Sequence, residues 1–219
     1  MPAAQPTKYA VIRSDVVEWS KFASETDWAS QALEQFQDQD EECPESCQGI
    51  YYLIDKTEKK INEKVYSLTW LPIPTHAKAF RDLNWAWVER LFKIEESDIK
   101  QLEQPEETII KPGGEIFFLQ SGKDLVGTVA MVHEHGDYEL AKMSVGDAYQ
   151  GRGYSHVLMH STTMWGQKHK IDGVTILSSQ RLVNAIALYK KHGYETVRLG
   201  SHPSYARCDI IMRLNLKTQ

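Results

Sequence analysis

Apolar and polar positions along the chain change rhythm in a way that predicts its elements. Across residues 14–36, Val17, Phe22, Trp28, Ala32 and Phe36 recur at helical spacing before an acidic break, QDQDEECPE. Two β-rich runs, residues 50–55 and 65–70, flank a polar turn and predict a hairpin. LPIP closes the second run. A helix is then predicted over residues 76–92, with Phe80, Leu83, Trp87, Val88 and Leu91 on one apolar face, followed by a shorter helix over residues 95–104. Beyond the breaker cluster KPGG, the runs EIFFLQ, DLVGTVAMV and DYELAKMSV are joined by the turn signals SGKD and HEHGD, an antiparallel meander. The period then switches to a helix over 153–169, a strand over 174–177, a helix over 182–192 stopped by Gly193, and strands over 195–199 and 206–214. A meander followed by a β-α-β-α-β section predicts an α+β fold, with a mixed, mostly antiparallel central sheet flanked by helices on both faces.

Composition narrows the functional classes. The 219 residues are 42% hydrophobic and 25% charged, ordinary for a globular domain with an appendage, and residues 1–60 read as an N-terminal extension to a main domain of residues 61–219. The net charge of -5 disfavours nucleic acid and anionic membrane as partners, since both reward excess Lys and Arg. No apolar run approaches the roughly 20 residues that span a bilayer, and the first ten residues lack the pattern of a signal peptide, so a cytoplasmic location is expected. Cys43, Cys47 and Cys208 are expected as free thiols, because CPESC supplies only half of a tetrahedral zinc site. His156 and His160 stand at the i, i+4 spacing of a helical metal pair, but HVLMH lacks a third ligand, so no metal is expected.

The stretch YQGRGYSHVLMH, residues 149–160, carries the candidate chemistry. Gly151, Arg152 and Gly153 follow a strand and open a helix, where first-turn N–H groups have no carbonyl partners and attract anions. A plain tight turn would use the same glycines. A Walker loop fails, since Arg152 and Gly153 stand where Lys and Ser or Thr belong; a dinucleotide fingerprint fails, since His156 replaces the third glycine.

QGRGYS resembles the Q/R-x-x-G-x-G/A signature of the GNAT superfamily of N-acetyltransferases, with Ser155 at its final small position. The resemblance extends to YELAKMSVGDAYQGRGYSHVLMH and to SSQRLVNAIALYKKHGYE, whose N-x-x-A-I-x-L-Y-x-K-x-G-[FY] pattern runs from Asn184. Element order from Ile61 to Leu216 is similar too; residues 1–60 have no counterpart.

The resemblance implies the acyl-CoA N-acyltransferase fold, acetyl-CoA as co-substrate and a small-molecule or peptide amine as acceptor, and leaves room for a homodimer. It implies that YELAKMSV and GVTIL splay apart, freeing backbone groups of Met143, Ser144 and Val145 for the pantetheine arm and thioester. Gln150, Gly151, Arg152, Gly153, Tyr154 and Ser155 would hold the pyrophosphate, and Asn184 the pantetheine or the loop. An ammonium acceptor must lose a proton before attack. Glu139 is the candidate base, placed by period-2 alternation on the face of Met143 and Val145, with His133, Glu134 and His135 as alternatives and a solvated strand-end charge as the plainer reading. Tyr189 is the candidate acid for the departing thiolate and a cofactor contact, or else a core tyrosine. A non-catalytic CoA-binding sensor or scaffold would use the same loop.

Overall fold

The computed structural model describes residues 9–13, 44–55, 60–203 and 205–217. The helical pattern expected within residues 14–36 lies outside them. The described elements run β1 (Tyr9–Arg13), β2 (Cys47–Asp55), β3 (Lys60–Thr69), α1 (Pro74–Leu91), α2 (Glu96–Glu103), a π turn (Glu106–Ile110), β4 (Glu115–Ser121), β5 (Asp124–Glu134) and β6 (Asp137–Val145). A 3-10 turn (Asp147–Tyr149), α3 (Tyr154–Lys168), β7 (Gly173–Ser178), α4 (Val183–Lys191), β8 (Glu195–Leu199) and β9 (Ile210–Asn215) complete them. One sheet takes the described strands in the order β1-β2-β3-β4-β5-β6-β7-β9-β8; every neighbouring pair is antiparallel except β6 and β7. The fold is the mixed, mostly antiparallel α+β sheet that the sequence predicts.

Alternation along β4 shows why its apolar run is unbroken. Ile116 and Phe118 face one core with Phe80 of α1, Leu102 of α2, Ala130 and Val132; Phe117 and Leu119 face the other with Val157 and Leu158 of α3, Val129 and Met131. A strand buried on both faces has no polar side to show. The turn between β5 and β6 is two residues, His135 and Gly136, both at positive φ (52° and 79°), as a tight hairpin of right-twisted strands requires.

The structure corrects several expectations. The buried stripe of α1 is His76, Phe80, Asn84 and Val88, while Leu91 is exposed. His76 and Asn84 are polar yet bonded locally: His76 Nδ1 accepts the Leu71 N–H at 2.9 Å and Asn84 Nδ2 donates to the Phe80 carbonyl at 2.9 Å, while Asn84 Oδ1 is buried without a partner among the described residues. The last strand starts at Ile210, four residues late, because Arg207 turns inward to Asp98 and Asp209 Oδ1 accepts the Gln180 N–H at 2.6 Å. Cys47 is disulfide-bonded, against the expectation of free thiols, whereas Cys208 is free and buried.

Candidate active site

Residues that share a strand can still face different cores when the strand carries an extra residue. β6 pairs with β5 in regular register from Asp137 to Ala141 and again at Ser144 and Val145, with a shift between Thr128 and Ala130 of β5 that Lys142 and Met143 together oppose. Lys142 takes a left-handed φ of 52°. Such a bulge bends the strand and inverts the facing of the residues beyond it. Ala141 accordingly packs with the α1 core, whereas Met143 and Val145 pack with the α3 core. Glu139, two residues before Ala141, shares the α1 face. Its expected place on the face of Met143 and Val145 is therefore overturned.

The bulge also opens the sheet. β6 meets β7 only at Tyr138–Val174 and Glu139–Thr175, and the strands part beyond that point. Gly146 N–H donates to Val126 O at 2.9 Å, so alternation turns the Val145 and Met143 N–H groups away from β5, toward the gap. A cavity of about 310 Å³ fills it. Trp87, Leu91 and Phe92 line it from the α1 face, Leu182, Ala185 and Tyr189 from α4, and Glu139, Met143, Ser144, Val145 and Gln150 along its length. The cavity thus runs through the sheet from one face to the other.

Glu139 is the one carboxylate among the described residues of this wall, and burial pushes its pKa up to about 7, against partial compensation from Lys142. Such a group is half-ionised near neutral pH, where a general base is most effective. The alternatives lie elsewhere: His133 Nδ1 is 2.9 Å from the Pro112 carbonyl and its ring stacks on Tyr138, while Glu134 and His135 are exposed. Tyr189 is 7% exposed, burial raises its pKa to about 12, and its hydroxyl has no partner among the described residues.

The loop before α3 presents a run of unused donors. The N–H groups of Gly151, Arg152, Gly153, Tyr154 and Ser155 have no acceptor among the described residues; the first helical bond is His156 N–H to Gly153 O at 2.9 Å. Gly151 and Gly153 hold φ of 75° and 95°, conformations that turn successive N–H groups toward one point and that only glycine adopts freely. Gln150 Nε2 braces the loop, donating to Val145 O at 3.1 Å and Asp147 Oδ1 at 3.0 Å, which engages the Val145 carbonyl but not its N–H. Arg152 lies 5.9 Å from the Tyr149 ring centre. Other side chains here are committed to the scaffold: Ser144 Oγ donates to Leu83 O at 2.6 Å, and the buried Tyr154 hydroxyl donates to Glu63. Asn184 is exposed on the first turn of α4.

Sequence reading missed the buried acid behind the cavity. Asp98, 1% exposed, accepts from Lys142 Nζ at 2.9 Å, from both terminal nitrogens of Arg207 at 2.7 Å, and from the Tyr205 hydroxyl at 3.2 Å. Burial alone would raise its pKa, but Arg207 and Lys142 outweigh burial and hold it well below the usual carboxylate range. Its partners lie up to 109 positions away, beyond any local pattern. His192 likewise joins the pair foreseen on α3: its Nε2 is 2.7 Å from His156 Nδ1, and burial, with the neighbouring His160, His156 and Lys191, pushes its pKa down to about 3. Among the described residues no group of three or more His, Cys, Asp or Glu side chains is arranged to hold a metal, and no helix is long and apolar enough to cross a membrane.

A bulged, splayed strand pair beside a donor-rich loop and helix defines a class. Residues 112–196 match the family described as acetyltransferase (GNAT) domain. The fold is similar to that of an acetyltransferase of the GNAT family from Staphylococcus aureus, with TM-score 0.60 and 18% identity over 68% of this chain and 99% of that one. An acetyltransferase from Streptococcus agalactiae gives TM-score 0.60 and 16% identity over 69% and 98%. FeeM, an N-acyl amino acid synthase from uncultured soil microbes, gives TM-score 0.55 and 14% identity over 72% and 93%. No curated protein sequence matches the chain. Residues 112–196 thus resemble an acetyltransferase (GNAT) domain, and the sheet around them shares the fold of these acetyltransferases.

Proposed function

We propose that the protein transfers an acetyl group from acetyl-CoA to a primary amine by direct attack in a ternary complex. The observation that carries this reading is the cavity through the sheet, which puts a carboxyl group titrating near neutrality and an unpartnered tyrosine hydroxyl beside strand amides facing the gap. Five unused N–H groups at residues 151–155 fit a pyrophosphate, and the open β6–β7 gap fits an extended arm. Acetyl-CoA supplies the activated thioester carbon.

The residues of the chain divide the work by face. Glu139, on the α1 side, takes the proton that the ammonium must lose, so the amine nitrogen can bond to the acyl carbon as the carbon–sulfur bond breaks. The Met143 N–H, with that of Val145, stabilises negative charge on the carbonyl oxygen. Tyr189, on the α4 side, gives its proton to the leaving sulfur. The residue 151–155 amides and Arg152 hold phosphate, Gln150 keeps the loop in shape, and Asn184 contacts the arm near the start of α4. The acceptor is a small molecule or a peptide, met on the α1 face. The division into an extension of residues 1–60 and a transferase domain of residues 61–219 is part of the same proposal: β1 and β2 add strands outside β3, at the far side of the sheet from the β6–β7 gap.

Thiol release from acetyl-CoA against a panel of amines tests the reading. Amine-dependent release that disappears in Glu139→Gln supports it; release that ignores Glu139 overturns the assignment of the base.

A further inference from the structure

Charges on the acceptor side of the cavity are matched along the wall and left positive at the rim. Among the described residues, Arg90, Lys142 and Arg207 line it with one carboxylate, Glu139. Arg90 is offset by Asp147, its Nη1 2.8 Å from Oδ2, and Asp98 with Glu139 offsets Lys142 and Arg207. A further guanidinium stands at the rim. Arg181 Cζ lies 5.4 Å from the centre of the Phe92 ring and Arg207 Cζ lies 5.7 Å from the same ring, which is part of the cavity wall. Arg181 has no acidic partner among the described residues, and on the adjoining loop Asp209 Oδ1 is engaged by the Gln180 N–H. Trp87, set edge-on to Phe92 with ring centres 6.3 Å apart, extends the aromatic wall.

A guanidinium without an acidic partner among the described residues, beside an aromatic ring of the cavity wall, suits a planar anion, since guanidinium groups match carboxylate oxygens and stay charged at every relevant pH. They repel an acceptor with several ammonium groups. Resting on the transferase reading above, we propose that the acceptor is an amino acid-like molecule carrying both amine and carboxylate, and that Arg181, backed by Arg207, holds the carboxylate beside Phe92 while the amine reaches Glu139. Arg181 is a specificity-determining residue on this account, and polyamines and aminoglycosides are poor acceptors.

The test uses the full chain, acetyl-CoA and matched acceptor sets: an amino acid, its amide and its decarboxylated amine, for side chains of several sizes. The acid of at least one set is expected to exceed its amide in kcat/KM by about tenfold, as a charge-assisted contact supports. Arg181→Ala should shrink that acid-to-amide ratio roughly three- to tenfold through KM, Arg181→Lys should restore part of it, and salt should erode it, as befits a rim charge. The proposal is overturned by amides or polyamines matching the acids, by Arg181→Ala slowing acid and amide alike, or by no acid reacting although calorimetry shows acetyl-CoA bound. Failure of acetyl-CoA to bind at all instead overturns the underlying transferase reading.

Discussion

Replacing Glu139 with Gln should abolish catalysis and stabilise the protein, the stabilisation appearing only at high pH. The carboxyl titrates near 7 instead of its usual 4.5, because burial disfavours its charge more than Lys142 favours it. The folded protein therefore keeps a proton that the unfolded chain has released between those values. Stability falls as pH rises through that window, and the penalty is complete above about 7. At roughly 1.4 kcal/mol per tenfold change the rise corresponds to about 3 kcal/mol, which water in the cavity reduces to about 1–2 kcal/mol. Gln has nearly the same shape and no charge to bury. For a chain of this length the gain corresponds to about 3–6 °C in Tm. Thermal melts of both proteins at pH 5 and pH 8 read it directly: the advantage of Glu139→Gln should be larger at pH 8 by that amount, while amine-dependent thiol release falls by a factor of about 100 or more. An advantage of equal size at both pH values, or a loss at pH 8, would refute the placement of a strained carboxylate in the cavity.

Other substitutions separate the remaining roles. Tyr189→Phe should lower kcat about 10- to 100-fold with a smaller change in the KM for acetyl-CoA, since the phenol keeps its proton up to about pH 12 and is available as an acid throughout the working range; steady-state kinetics decide this. Gly153→Ala forces a Cβ into a φ of 95° at the start of α3, costing roughly 1–2 kcal/mol and misaiming the loop amides, so the KM for acetyl-CoA should rise about tenfold in the same assay. Asp98→Asn leaves Lys142 and Arg207, with side chains only 7% and 14% exposed, without their counter-charge, and a denaturant melt at pH 7 should show a loss of about 3–5 kcal/mol. Because the Asp98 pKa is lowered in the fold, that stabilisation is present above its unfolded value of 3.8 and is lost only as pH falls below it, so the gap between wild type and Asp98→Asn should close in strong acid.

Local pattern made the elements and the loop legible, and contacts between distant segments were where it stopped. The alternation of β4 to β6, the glycines before α3 and Gly193 after α4 act through their own backbone, so the chain displays them directly. The bulge does not: a lysine at φ 52° carries no mark of it, and the facing of Glu139 relative to Met143 depends on that one residue. Asp98 reads as an exposed charge in the first turn of a short helix, and only the return of Arg207 and Tyr205 from the loop before β9 reveals it as the buried centre of a network. His192 meets His156 across two helices for the same reason. The polar stripe of α1 escaped because His76 and Asn84 each bond to a nearby main-chain group, which a count of apolar positions ignores.

Calorimetric titration of the purified chain with coenzyme A, in parallel with Gly153→Ala, bears most directly on the idea that the residue 151–155 amides and the β6–β7 gap bind an acyl carrier. The account predicts one site per chain with a Kd between about 1 μM and 1 mM, weakened about tenfold in Gly153→Ala. No heat of binding at millimolar ligand, or equal affinity in the two proteins, would contradict it.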